Sequence, residues 1–232
     1  MSVDPKAFWE DKILSWERGR YQRVQTSGGL LERIADASSR SLRYRIRIGV
    51  ELLAPHIKGK SILEVGCGSG IIAQDLISAG ASRYLGIDIA ENAIAIANRR
   101  KAELGWGDEI TFKVGTIREL PPVQEDVVLS LGVLDWLTDE ELEILFQRQG
   151  KAHFLHAIAE KRNTLSQLAH RAYVQVSYGY RTGAYRPRYF KASTIAALAR
   201  KHQPGPFYAF RNRQLSFGAL ISSLPVGDPI AL

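Results

Sequence analysis

Cysteine is almost absent. A single thiol, Cys67, in 232 residues leaves no internal disulfide framework to build and suits a reducing compartment. No apolar run approaches the length of about 18 residues that a membrane span requires. The opening MSVDPKAFWEDK lacks the basic start and apolar stretch of a secretory signal. No dense cluster of His, Asp and Glu offers metal-ligand spacing, so no metal is expected. Internal repeats and low-complexity segments are lacking too. These absences predict a cytoplasmic protein with one structural domain overall, a helical cap over residues 1–57 leading into a larger body over 58–232.

Acidic residues run out towards the end of the chain. From Lys161 onward there are eleven Lys or Arg and one acid, Asp228, a net charge of +10 within a total of +7. Such asymmetry points to an anionic partner or substrate, or else to a solvated basic face. The arginines alternate with tyrosines and glycines in YGYRTGAYRPRYF, which favours a recognition surface.

What is present is a regular alternation. Phe8, Trp9, Ile13, Leu14 and Trp16 stand near helical spacing over residues 5–20, and a second helix is predicted from about Ser41 to His56. Strands are predicted at Ser61–Val65, Arg83–Ile87, Ile110–Val114, Asp126–Leu131 and His153–Ile158. Helices between them cover Ile71–Ser78, Glu91–Glu103 and a stretch from Thr138, whose spacing to Glu141 fits a capping box. This alternation implies a parallel, doubly wound α/β sheet. After a helix at Ser193–Lys201, the runs Pro206–Phe210 and Leu215–Ser222 have only RNRQ between them. They predict a hairpin, which adds antiparallel pairing to a mostly parallel seven-stranded sheet.

The string ILEVGCGSG carries the chemistry. Gly66, Gly68 and Gly70 follow a strand and open a helix, where glycines let the main chain turn tightly and approach a ligand. Their spacing is Gly-x-Gly-x-Gly, which differs from the dinucleotide fingerprint. Glu64 precedes them. Asp88 ends the next strand, where a carboxylate can accept hydrogen bonds from both hydroxyls of a ribose.

With these motifs in place, the chain resembles the class I S-adenosylmethionine-dependent methyltransferases. ILEVGCGSG, YLGIDIAENAIAIA, FKVGTIRELP and DVVLSLGVLDWL are similar to the family's four motif regions in order. The resemblance implies a Rossmann-like fold and S-adenosylmethionine as cofactor. It places Gly66, Cys67, Gly68 and Gly70 along the cofactor's methionine part, with Glu64 supporting that loop. Asp88 would hold the ribose, Ile89 would lie beside the adenine, Thr116 and Ile117 at its edge, and the Leu131 main chain near the amino group. Many members carry Asp where this chain has Thr116, so a contact to the adenine amino group is weaker here or supplied otherwise.

In methyl transfer the cofactor brings the reactivity, and the protein supplies orientation, desolvation and sometimes a base. Cys67 sits inside the glycine loop, a poor place for a nucleophile. The Asn/Asp-Pro-Pro-Tyr/Phe signature of many base-amino methylating enzymes is absent. For an alcohol acceptor the candidate bases are His156 on the fifth strand and Asp135 past the fourth. Residues 161–190 are read as a substrate-binding insert. Tyr178, Tyr180, Arg181, Tyr185, Arg186, Arg188 and Tyr189, together with Trp136, are its candidate contacts, and Tyr21 is assigned to the cap. The arrangement resembles O-methyltransferases of small, anionic or sugar-like acceptors, in natural-product or polysaccharide biosynthesis, and also magnesium-protoporphyrin methyltransferases. An RNA-modifying methyltransferase and a non-catalytic cofactor-binding scaffold are the alternatives.

Overall fold

In the computed structural model, five parallel strands form the centre: β1 (Ser61–Val65), β2 (Arg83–Asp88), β3 (Ile110–Val114), β4 (Val127–Ser130) and β5 (His153–Ala159). The structure describes residues 4–10, 12–13, 30–162, 167 and 187–231. The expected cap residue Tyr21 and the expected acceptor contacts Tyr178, Tyr180, Arg181, Tyr185 and Arg186 lie outside these described residues.

Neighbouring side chains along each strand enter opposite cores. Ile62, Leu129, Leu155 and Leu220 lie in one apolar cluster. Leu63, Val128, Phe154 and Ile221 lie in the other. A strand that alternates between two buried faces needs helices on both sides, and this is the physical basis of the doubly wound arrangement. One face is covered by α2 (Leu30–Leu53), α3 (Ala73–Ser78) and α4 (Glu91–Glu103), which contribute Leu53, Leu76 and Ala97. The other is covered by α5 (Asp139–Gln149) and α6 (Ala192–Arg200), through Phe146 and Ile195. Residues 5–10 form α1. The predicted capping box is present, with the Thr138 hydroxyl accepting from Glu141 N and the Glu141 carboxylate accepting from Thr138 N.

The sheet order is β3-β2-β1-β4-β5-β7-β6-β8. The expected hairpin is β6 (Tyr208–Phe210) against β7 (Gly218–Ser222), and β7 joins β5 antiparallel. Its connection is longer than RNRQ. Leu215 is buried at the end of a 3-10 turn over Arg213–Leu215, and Ser216 follows with φ 54°, so the strand resumes only at Gly218. Among the described residues the sheet has eight strands and not seven. After β7 the chain doubles back and β8 (Asp228–Pro229) pairs with β6 at the edge. Two residues with a proline give no periodic signal, and an edge is where a sheet tolerates proline. α2 also begins at Leu30, eleven residues before the expected Ser41.

Candidate active site

The carboxyl ends of β1, β2 and β4 open into a pocket, the usual place for a ligand in a doubly wound sheet. It encloses about 1190 Å³ of non-protein space, open mouth included. Its floor is the glycine loop. Gly66 N and Cys67 N both donate to Ile87 O, at 2.8 and 3.1 Å, which ties the loop to the end of β2. Gly66 has φ +73°, and a Cβ there would lie 2.0 Å from Val133 Cγ2, itself a pocket wall. Any side chain at 66 would therefore fill the cradle between the loop and β4. Gly70 does not line the pocket. A Cβ there would meet the Phe112 ring at 2.4 Å, so this glycine serves contact between the loop and β3.

Asp88 joins the loop to α4. Its carboxylate accepts from Gly68 N (2.8 Å) and Ala90 N (2.9 Å), is 8% exposed, and still borders the pocket. A carboxylate at the edge of such a cavity is the kind of group that accepts from the hydroxyls of a ligand. Glu64, also a wall, is buried and accepts from the Tyr84 hydroxyl. Burial, then the Glu64 charge, drives the Tyr84 phenol well above its ordinary range, so it remains a donor.

Ile89, Thr116, Ile117 and Leu131 line the same pocket. The Thr116 side chain, however, is engaged. Its hydroxyl accepts from Glu119 N (3.3 Å) while the Glu119 carboxylate accepts from Thr116 N, a second capping box. Thr116 thus caps the 3-10 turn Ile117–Glu119 while still bordering the pocket. The Leu131 carbonyl accepts from Arg45 Nη1 at 3.3 Å. Cys67 is buried, with Sγ in the space that a Cβ on Gly86 would enter.

Neither candidate base reaches the pocket wall. His156 is fully buried, stacked on Phe154 at 5.0 Å and bonded to Ser130 Oγ (2.9 Å) and Gln149 Oε1 (2.8 Å). Burial lowers its pKa to about 3, so the ring is neutral. The Gln149 oxygen then requires the proton on Nε2, and Nδ1 accepts from Ser130. Asp135 is buried and accepts from Ala159 N at 2.6 Å, while its own carbonyl accepts from Arg188 N. Burial raises its pKa to about 6, against the Ala159 bond and the Arg45 charge. Both residues fasten β4 to β5 and its neighbours.

Arg188 is likewise committed. It donates to Leu137 O (2.6 Å), pairs with Asp139 and lies 4.9 Å from the Phe190 ring centroid. Neither Arg188 nor Tyr189 borders the pocket, whereas Trp136 does. Trp9, on a helix expected either to close over the cofactor or simply to anchor itself by its tryptophans, lines the pocket, and Pro5 and Ile13 of the same segment and Ile46 on α2 join it without having been singled out as site residues.

Among the described residues, the pocket walls carry Glu64, Asp88 and Glu141 and no lysine or arginine. Acidic walls suit a cationic ligand. Residues 62–152 match a protein family described as a methyltransferase domain. Over that stretch the chain is similar to methyltransferase domains. Among curated proteins it is similar to the ubiquinone biosynthesis O-methyltransferase of Bordetella parapertussis, 34% identical over 98 residues, 40% of this chain and 39% of that one. It is also similar to a tabtoxin biosynthesis enzyme of Pseudomonas amygdali pv. tabaci, 27% identical over 121 residues, 52% and 46% of the two. The chain thus matches about two fifths of the length of its first curated relatives. In fold, the chain is similar to a magnesium protoporphyrin IX methyltransferase from Synechocystis with bound SAH. The TM-score is 0.71 at 18% identity, over 94% of this chain and 96% of that one. Among the described residues no helix is long and apolar enough to cross a membrane.

Proposed function

We propose that this chain binds S-adenosylmethionine in the pocket above β1, β2 and β4 and methylates an oxygen of a small-molecule acceptor. The observation that carries the reading is Asp88. A nearly buried carboxylate is held by the glycine loop on one side and by the start of α4 on the other, and it faces a cavity. A carboxylate at the end of β2 suits ribose hydroxyls, with Ile89 and Ile117 as apolar flanks for a base. Gly66 and Gly68 leave room for the rest of the cofactor. When bound, the cofactor supplies an electrophilic sulfonium methyl, and the acidic walls favour its positive charge.

The acidic groups on the described walls are already bonded: Glu64 to Tyr84, Asp88 to two N–H groups, and Glu141 to Thr138 and Arg118. Proton removal from the acceptor is therefore not assigned to them. Their work is orientation and exclusion of water, which alone supply much of the rate of a displacement. Trp9, Trp136, Ile46 and Leu137 make an apolar rim beside β4, which supports an acceptor with a flat, apolar body. The names of the similar ubiquinone and protoporphyrin enzymes support the same class. The net charge of +10 from Lys161 onward supports an acceptor that carries an anionic group.

Calorimetric titration with S-adenosylmethionine and S-adenosylhomocysteine tests it. Saturable binding that is lost in Asp88→Ala is expected. Absence of binding to folded wild-type protein refutes the reading, and salt-sensitive affinity for RNA in its place would favour an RNA-modifying enzyme.

A further inference from the structure

α4 begins without a cap of its own. Its N-cap position is Ala90, which has no side-chain acceptor, so the first N–H groups of the helix need partners from elsewhere. Asp88 takes Ala90 N. Glu10, 81 residues earlier in sequence, takes the next two: Oε2 accepts from Glu91 N at 2.8 Å and Oε1 from Asn92 N at 2.9 Å. The Asn92 side-chain amide donates back to the Glu10 carbonyl, and Lys6 pairs with Glu91. The same segment places Pro5, Trp9 and Ile13 on the pocket wall. Ile13 is buried against Ala90 and Ala93, and the Trp9 ring stands edge-on to Trp136 at 5.0 Å. Residues 5–10, 12 and 13 therefore run along the pocket from the start of α4 to the loop after β4.

We infer that Glu10 is a positioning residue for cofactor binding: its carboxylate caps α4 from outside and so latches Pro5, Trp9 and Ile13 over the pocket as a lid. This rests on the methyltransferase reading above. A carboxylate suits the role because it accepts two N–H bonds at once and its charge is favoured at a helix N-terminus. Two carboxylates then divide one helix end. Asp88 faces the ligand and Glu10 holds the lid, on successive N–H groups, so a lid that lifts uncaps the helix that anchors the Asp88 carboxylate. Without Glu10 the lid opens more often, and a ligand beneath it leaves sooner.

The test follows tryptophan fluorescence while S-adenosylhomocysteine is displaced from the full chain, in wild type, Glu10→Ala and Glu10→Gln. Loss of a helix cap raises the open fraction by about tenfold, and the dissociation rate rises with it. Glu10→Gln, with one acceptor oxygen in place of two, falls between the two and remains informative if the alanine variant folds poorly. Amide hydrogen exchange at Glu91 and Asn92 should quicken in the variants without ligand. A dissociation rate within about twofold of wild type overturns the inference, whether exchange changes or not, because a cap that does not slow the ligand is not a latch. Failure of wild type to bind shows in the first arm, before any variant is compared, and refutes the methyltransferase reading instead.

Discussion

Asp135→Asn should make this protein more stable at neutral pH, by an amount that shrinks as the solution is acidified. The Asp135 carboxyl is buried and titrates near 6 in the folded chain, against an ordinary 3.8. Between those values the unfolded chain holds fewer protons than the folded one, so this group's contribution to stability falls as pH rises through the window and is constant above it. Two pKa units correspond to about 3 kcal/mol at pH 7.5, about 1.5 at pH 5 and about 0.5 at pH 4. Asparagine cannot ionise, yet its Oδ1 can keep the 2.6 Å bond from Ala159 N. The variant's advantage should follow those figures, less whatever the Arg45 charge loses with its partner. Urea unfolding of both proteins from pH 4 to 8, compared by midpoint at equal slope, measures it. Subtraction isolates Asp135, because His156 titrates alike in both. A difference that is flat with pH, or a variant less stable than wild type at pH 7.5, would refute the argument that desolvation dominates at this site.

Other outcomes follow from the same geometry. Tyr84→Phe removes a donor to the buried Glu64 carboxylate, which should cost about 2 kcal/mol and weaken cofactor binding, by thermal unfolding and calorimetry. His156→Leu leaves Ser130 Oγ and Gln149 Oε1 without their ring partner, a loss of about 2–3 kcal/mol at pH 7, with cofactor affinity unchanged. Since the ring's pKa is lowered to about 3 from 6.5, wild type loses stability as pH falls through that range, and the leucine variant should lose less. A His156→Leu protein whose cofactor affinity drops sharply would return this residue to the site.

The parts of the site that were legible in the sequence share one property: their role is local. A glycine with φ +73° at position 66, an acid ending β2 and a Thr138–Glu141 capping box each need only a few consecutive residues to be specified. The strand alternation was legible for the same reason, since a period of two records which face each residue buries. Where a chemical type had to be matched to a place, the sequence was ambiguous. His156 and Asp135 carry the right groups for acid–base work, but the pairing of β4 with β5 turns one into the core and spends the other on Ala159 N. Arg188 looked like an anion clamp and instead holds Leu137 and Asp139.

The sequence alone determined the class of sheet, its glycine loop and the acid that faces the pocket, because hydrophobic period and backbone strain are written in neighbouring residues. Tertiary structure decided what no neighbour encodes. Gly70 meets Phe112 from another strand, Thr116 becomes a cap, β8 closes the edge, and Glu10 reaches across 81 residues to the open end of α4. Each of these depends on unsatisfied backbone groups or on space that exists only once the strands have paired, so their partners become visible only in the folded chain.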